Sequence, residues 1–208
     1  MMKRKILSFI LGVIWSSSIF SMIIHEGQQY TKLNRPVDNA PQILEFFSFY
    51  CPHCYQFEEV YHIFSSIKKF LPDNIKIVRY HVDFLGQIGQ QLTHAWAMAI
   101  VLGIEDKVNQ LMFEALHRER SIKSVEDIRT VFLKSGVSSK EFDLFWNSCS
   151  VQNLILTQQQ AASDFQLRGV PSIFINGKYM IKHDALDTSS IDIYIKQFIE
   201  LIGLLIAQ

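Results

Sequence analysis

The chain has 208 residues, 49% hydrophobic and 12% aromatic, which is enough for a sizeable core and too apolar for a disordered protein. Lysine plus arginine balance aspartate plus glutamate at 20 each, which excludes the basic charge pattern typical of nucleic-acid binding. Length and composition therefore predict one ordinary domain, or one domain that carries an insertion.

Residues 1–21 have the pattern of a secretory signal peptide. The basic start Lys3-Arg4-Lys5 precedes an apolar run from Ile6 to Trp15, which three serines follow. We place the cleavage site after Ser21. An uncleaved membrane anchor is the alternative, because apolar residues resume at Ile19, but the first run falls short of the ~20 residues of a spanning helix. Export to an oxidising compartment would make disulfide chemistry possible.

A strand, a helix and a second strand are predicted after residue 41. The apolar, aromatic segment 43–49 predicts a buried strand that ends at Cys51-Pro52-His53-Cys54. Pro52 suits the first position of a helix, where its missing N–H costs nothing. Segment 75–82 predicts the second strand, and this order favours a parallel pair. Helical spacing assigns five residues to the core side of the helix: Tyr55, Val60, Ile63, Phe64 and Ile67.

The region 86–165 lacks strand signals and predicts helices that are divided at Gly103 and Gly136. Two helix starts are indicated by capping-box patterns at 124–127 and 138–141.

The C-terminal third returns to strand signals. Residues 173–175 predict a strand, Asn176-Gly177 predicts a hairpin turn into 178–181, and a last helix is expected over about 189–205. The predicted architecture is therefore an α/β domain with a helical insertion.

Cys51 is expected at the start of a helix, where unpaired backbone N–H groups face its sulfur. The helix dipole favours a negative charge there by about 0.3–1 kcal/mol, and by up to ~2 kcal/mol when the site is partly buried, which lowers the pKa by roughly one unit. His53 adds a donor or a positive charge, so Cys51 should be a thiolate at neutral pH. Cys54, one turn later, should be the more buried thiol. Because a stable thiolate favours the reduced pair, the Cys51–Cys54 disulfide should be oxidising.

Two other uses of these cysteines remain open. A structural zinc site needs four ligands, and the chain has no second cysteine pair with suitable spacing. A purely structural disulfide would close so short a loop that it would contribute little stability. We expect no metal and no cofactor.

The residues around Cys51 resemble those of the DsbA family, the bacterial periplasmic dithiol oxidases of the thioredoxin-fold superfamily. The most specific similarity lies in segment 44–59, and a second block covers 166–171 and 174–179. The resemblance implies a thioredoxin-like fold with an inserted helical domain. It divides the chain into a signal peptide at 1–21, a first thioredoxin-like part at 22–85, a helical insertion at 86–160, and a second thioredoxin-like part at 161–208.

The same resemblance implies roles for three further residues. Val170-Pro171 would be a cis bond facing Cys51, with the Val170 backbone free to pair with an extended substrate; an ordinary trans proline at a strand start is the alternative. Glu45 would be a buried acid that helps to move the proton of Cys54, unless it reaches solvent from the strand end. Arg79 could pair with Glu45, but an arginine that is always protonated could not relay a proton.

The resemblance also implies partners and a location. The substrates would be unfolded, newly exported proteins with free thiols, and a membrane protein linked to quinone and resembling DsbB would reoxidise the pair. We expect a periplasmic monomer. A disulfide isomerase or reductase of the same fold, and a peptide-binding chaperone module, are the alternative functions. Cys149 has no place in the family's mechanism and is expected to be a small buried residue on an insertion helix.

Overall fold

The structure is a computed structural model that describes residues 24–72, 74–75 and 77–208. The predicted signal peptide lies outside these residues. Among the residues described, none of the helices combines the length and the apolar character that crossing a membrane requires.

Both ends of the described chain contain strands and helices, and helices alone occupy its middle. In chain order they are β1 Tyr30–Lys32, β2 Ile43–Phe47, α1 Pro52–Tyr55, α2 Ile63–Lys68, β3 Ile77–His81, α3 Gly89–Leu102, α4 Glu105–Phe113, α5 Val125–Lys134, α6 Ser139–Trp146, α7 Cys149–Asp164, β4 Ser172–Ile175, β5 Tyr179–Ile181 and α8 Ile191–Ile206. A π-helical turn follows α1 at Gln56–Val60, and another follows α4 at Glu114–Arg118.

The five strands form one sheet in the order β1-β5-β4-β2-β3. The predicted parallel pair is confirmed, since β2 runs parallel to β3 and places Glu45 opposite Arg79. The predicted hairpin is also confirmed between β4 and β5. Asn176 and Gly177 have φ values of 52° and 64°, the left-handed conformation that a tight hairpin turn of this kind requires.

All five residues of β2 are buried, because helices cover both faces of this inner strand. Side chains alternate across the sheet, so Leu44 and Phe46 pack with Phe165 and Phe174 on one face. Ile43 and Phe47 lie on the opposite face, and Glu45 lies between them along the strand. The sequence thus directs a carboxylate into the interior beneath the cysteine motif.

The helical insertion is confirmed: helices α3 to α7 lie between β3 and β4 in the chain. Gly103 and Gly136 follow α3 and α5 with φ values of 66° and 102°, as their role as helix ends requires. The full capping box forms at Ser138 and Glu141. The domain boundary that we expected after residue 160 falls inside α7.

Two predictions of burial were wrong. Val60 is 49% exposed, and Phe57 is the buried residue of that turn at 7%. The cause is the π-helical turn Gln56–Val60, which changes the helical spacing on which the prediction depended. Cys149, which was expected to be buried, is exposed. It is the first residue of α7, and the face of that helix that packs against the core carries Val151 instead.

Candidate redox site

Cys51 lies at the junction between the sheet and α1. It is the N-cap residue of α1, with an extended backbone (φ −81°, ψ 117°), and Pro52 occupies the start of the helix as predicted. The backbone N–H of Cys54 donates to the Cys51 sulfur at 3.4 Å. The sulfur is therefore held against the positive end of the helix, although only 6% of the residue is exposed.

The surroundings of Cys51 favour its thiolate. A hydrogen bond from the Cys54 thiol lowers the pKa of Cys51 to about 6, helped by the backbone N–H groups of Cys54 and His53 and by the charge of His53, while burial opposes them. The predicted contributions of the helix start and of His53 are both present. The largest one, the neighbouring thiol, was not predicted from the sequence.

Cys54 has the opposite environment. It is 1% exposed, and burial raises the pKa of its thiol far above the ordinary value, with the hydrogen bond and the charge of Cys51 acting in the same direction. The two thiols therefore differ in the direction that we expected: the pKa of Cys51 is lowered and that of Cys54 is raised.

Val170 and Pro171 approach the cysteines from the loop before β4. The Val170–Pro171 peptide bond is cis, as expected, and the Val170 carbonyl oxygen lies 3.4 Å from the Cys51 sulfur. Residues that are 119 positions apart in the chain thus meet at one sulfur atom.

Glu45 is buried beneath the cysteines. It is 1% exposed, so the alternative in which its side chain reaches solvent is excluded. Burial raises the pKa of Glu45 to about 7, and Arg79 acts against that rise. The Arg79 Nε atom lies 2.5 Å from a Glu45 oxygen, which makes the expected pair a direct ion pair. A carboxyl group with a pKa near 7 can hold or release a proton at neutral pH.

Arg79 links Glu45 to two further polar residues. Its guanidinium group lies 3.4 Å from Glu58 and 3.4 Å from the buried Asn109 of α4. It also lies over the ring of Phe47, at 4.6 Å from the ring centroid. One oxygen of Glu58 is buried without a hydrogen-bond partner. Arg79 therefore holds a buried acidic cluster in place rather than exchanging protons itself.

Two histidines that the sequence did not single out contact the segment before Cys51. His81 Nε2 accepts a hydrogen bond from the Phe49 N–H at 3.0 Å, and His117 Nε2 lies 2.7 Å from the Phe49 carbonyl oxygen. No local motif marks either residue, since each acts on a segment at least 32 positions away. Within the described part of the chain, no cluster of three or more metal-binding side chains occurs.

Comparisons with known proteins agree with this geometry. A sequence model described as the DSBA-like thioredoxin domain matches residues 42–193. The chain belongs to this DsbA-like family. The thiol:disulfide interchange protein DsbA of Pectobacterium carotovorum is 51% identical over 99% of both chains, and that of Yersinia pestis is 50% identical over 96% of both.

Solved DsbA structures share the fold. The disulfide oxidoreductase DsbA of Proteus mirabilis is 48% identical, with a TM-score of 0.85 over 89% of this chain and 98% of that one. A complex of a cysteine-to-serine variant of the same DsbA with the non-covalently bound peptide PWATCDS has a TM-score of 0.86 over 89% and 99% of the two chains. The thioredoxin-like fold with its helical insertion is thus confirmed, and so is the activity of a DsbA-type protein dithiol oxidase.

Proposed function

We propose that Cys51 and Cys54 form the redox-active disulfide of this oxidase and that substrates react at Cys51. The observation that carries the proposal is the Cys51 sulfur at the N-cap of α1, 3.4 Å from the Cys54 N–H, with its pKa lowered to about 6 by the Cys54 thiol and the helix start. A stabilised thiolate is a good leaving group, and it favours the reduced pair over the disulfide.

The reaction begins when a substrate thiolate attacks the sulfur of Cys51. A bond forms between the two sulfurs, the Cys51–Cys54 bond breaks, and the electron pair goes to the Cys54 sulfur. Because Cys54 is buried and its thiol pKa is raised by that burial, its sulfur must gain a proton. Protonated Glu45, whose pKa burial raises to about 7, supplies that proton.

A second substrate thiolate then attacks the substrate sulfur of the mixed disulfide. The substrate disulfide forms, and Cys51 leaves as a thiolate stabilised by Pro52-His53 at the start of α1. Two substrate thiols have become a disulfide, and the pair Cys51 and Cys54 is reduced. The electrons must then pass to another oxidant before the next turnover.

The loop at Val170 and Pro171 is the proposed contact for the substrate backbone. The Val170 carbonyl lies beside the reactive sulfur, where an extended peptide could align by main-chain hydrogen bonds. The non-covalent peptide complex of the Proteus mirabilis relative supports binding of a peptide to this fold.

The proposed setting is the periplasm, after removal of residues 1–21. The substrates are unfolded exported proteins with free thiols, and the reoxidant is a quinone-linked membrane protein resembling DsbB. We propose that the protein works as a monomer and needs no cofactor of its own. The signal pattern and the family membership support this setting.

Oxidation of a reduced, unfolded test protein by the purified oxidised chain tests the proposal. The Cys51→Ser and Cys54→Ser variants should both fail to oxidise the test protein, because neither can form the disulfide that accepts its electrons. Cys149→Ser is the matched control: it removes the exposed third thiol and should leave the rate unchanged. Full oxidation by Cys51→Ser would overturn the proposal.

A separate experiment tests whether the pair acts as an oxidant or as a reductant: the Cys51–Cys54 pair is equilibrated with glutathione and its redox potential is measured. An oxidase should have a potential well above the roughly −270 mV of thioredoxin. A potential as low as that of thioredoxin would favour the reductase or isomerase instead.

A further inference from the structure

The backbone of Phe49, two residues before Cys51, is held on both of its peptide groups. The N–H donates to His81 Nε2 at 3.0 Å, and the carbonyl oxygen lies 2.7 Å from His117 Nε2. Since each bond fixes the plane of one peptide group, together they restrain both backbone torsions of Phe49. The side chain of Phe49 is fully buried.

His81 is itself held by the helical insertion. Burial lowers the pKa of His81 to about 3, so the ring is neutral. Because Nε2 accepts from Phe49, Nδ1 carries the proton and donates to Thr93 of α3 at 2.8 Å. The side chain of Gln158 in α7 accepts the His81 N–H at 2.9 Å.

His117 reaches the same peptide from the other side. It belongs to the π-helical turn Glu114–Arg118 that ends α4, where the wider turn offsets the side chains from regular helical spacing. Its ring stacks on Tyr55 of α1, with centroids 4.7 Å apart and planes at 16°. His117 therefore contacts both segments that flank the Cys51 sulfur: the strand–helix loop before it and the helix after it.

We propose that His117 is a positioning residue for disulfide donation: by holding the Phe49 carbonyl and the ring of Tyr55, the helical insertion sets where the Cys51 sulfur lies relative to the start of α1. The inference rests on the proposed role of Cys51. In this proposal the helical insertion covers the sheet and also helps to set the reactivity of Cys51.

The loop is short, which is why a bond at Phe49 reaches the sulfur. The Cys51 N–H donates to the Ser48 carbonyl at 3.0 Å, so residues 48–51 form one tight turn. Tyr50 N–H donates to the Ser48 hydroxyl at 3.2 Å, which fixes the same peptide group that His117 holds. Any rotation of the Phe49 carbonyl must therefore move Cys51 against the N–H of Cys54.

The variant His117→Phe tests the proposal, because it keeps an aromatic ring against Tyr55 and removes the hydrogen bond. The matched control is His94→Phe. His94 Nε2 also bonds a backbone carbonyl, that of Trp146 at 2.6 Å, and its ring stacks on Trp146 at 3.9 Å, but both residues lie within the insertion. His117→Gln is the conservative variant, since its amide can still donate to the Phe49 carbonyl.

Three quantities are measured on each folded, full-length protein: stability in urea, the pKa of Cys51 from thiolate absorbance, and the equilibrium with glutathione. Both phenylalanine variants should lose similar stability. Only His117→Phe should raise the Cys51 pKa, by about half a unit, and make the disulfide about threefold less oxidising. His117→Gln should restore most of both values.

Equal Cys51 pKa values in His117→Phe, His94→Phe and the unmodified protein would overturn the positioning role and leave a purely structural one. That result is distinct from failure of the proposed function, which would appear in the unmodified protein as a Cys51 pKa well above neutrality. If His117→Phe does not fold, His117→Gln is compared with His117→Leu, which has no hydrogen-bond donor. The proposal is supported if the Cys51 pKa in His117→Gln is closer to that of the unmodified protein than the Cys51 pKa in His117→Leu is. Equal Cys51 pKa values in these two variants overturn it.

Discussion

The backbone N–H of Cys54 points at the sulfur of Cys51 from 3.4 Å, while the Cys54 thiol hydrogen-bonds the same sulfur. The inner cysteine thus stabilises the outer thiolate with two donors and stays protonated itself, because burial raises the pKa of Cys54. This arrangement exists only when the pair is reduced, since the disulfide has neither a thiolate nor a thiol donor. The reduced form gains stability that the oxidised form lacks, and the disulfide is oxidising for that reason.

Replacing His53 with alanine should raise the pKa of Cys51. The charge of His53 is one of the contributions that lower this pKa, but the side chain is exposed, so solvent weakens its effect. We expect a rise of about half a unit to one unit in a titration of thiolate absorbance. His25→Ala, which removes another exposed imidazole, should leave the titration unchanged. An unaltered Cys51 pKa in His53→Ala would contradict the role given to that residue.

The reduced protein should be more stable than the oxidised protein, by an amount that depends on pH. The pKa of Cys51 is lowered in the folded state from 9.0 to about 6 by the Cys54 thiol and the helix start. The folded state therefore binds fewer protons at this site, and its extra stability is complete near pH 9 and disappears as the pH falls through 6. The full difference amounts to at most about 4 kcal/mol.

Urea unfolding of both redox forms at several pH values checks this expectation. The stability difference should shrink steadily from pH 9 to pH 6. Above pH 9 it should shrink again, because burial keeps Cys54 protonated in the folded protein while the unfolded chain ionises it. An oxidised form that is the more stable at pH 8 would refute an oxidising role.

Much of the fold could be predicted because its signals are local. The apolar segment 43–49, the Asn176-Gly177 turn and the glycines after α3 and α5 each act within a few residues, and the structure has a strand, a hairpin and helix ends there. The π-helical turn Gln56–Val60 could not be predicted, because one extra residue in a helical turn leaves no mark in composition. It exposed Val60 and buried Phe57 instead.

In the candidate site, too, some residues could be predicted from local sequence and others could not. Cys51, Pro52 and Cys54 are adjacent in the chain, so their chemistry followed from position at a helix start. The pairing of Glu45 with Arg79 followed once two parallel strands were recognised. His81 and His117 could not be found, because each contacts Phe49 from a distant element and neither contact has a sequence pattern.

Replacing Glu45 with glutamine should slow reduction of the oxidised protein by a thiol substrate. The step expels the Cys54 sulfur into a buried site, and glutamine cannot supply the proton that protonated Glu45 holds. We expect a loss of about a hundredfold, at the low end for acid–base assistance, measured by rapid mixing under excess substrate. Glu59→Gln is the control. It removes a half-buried carboxyl group from the π-helical turn Gln56–Val60 and should keep the original rate. Equal rates in the unmodified protein and Glu45→Gln would remove Glu45 from the mechanism.

The same variant should change how stability depends on pH in the oxidised protein, in which neither Cys51 nor Cys54 titrates. In the reduced protein burial raises the pKa of Glu45 from 4.5 to about 7, and burial, the largest cause, acts in the oxidised protein as well, so the folded state favours the protonated acid. The contribution of Glu45 to the free energy of unfolding is fully present below pH 4.5 and is lost as the pH rises through 7. The loss amounts to at most about 3 kcal/mol. Glu45→Gln should flatten that part of the profile in urea unfolding. Glu58→Gln keeps Glu45, so its free energy of unfolding should still fall as the pH rises. If this fall is missing in Glu58→Gln, Glu45 is not the titrating group.

Gly86 should be intolerant of alanine because of its contact with Tyr50, the residue before Cys51. Its φ is +73°, and an added Cβ would lie 2.2 Å from the Tyr50 ring. Gly103 is the matched control: its φ is +66°, but an added Cβ meets nothing within 4 Å. Both substitutions carry a backbone cost of about 1–2 kcal/mol for a left-handed conformation, and Gly86→Ala adds a steric cost of about 1–3 kcal/mol in urea unfolding. Because the clash pushes Tyr50 and hence the turn at Cys51, only Gly86→Ala should also change the Cys51 thiolate titration. Equal losses of stability, with identical titrations, would mean that Tyr50 moves aside without disturbing the cysteine.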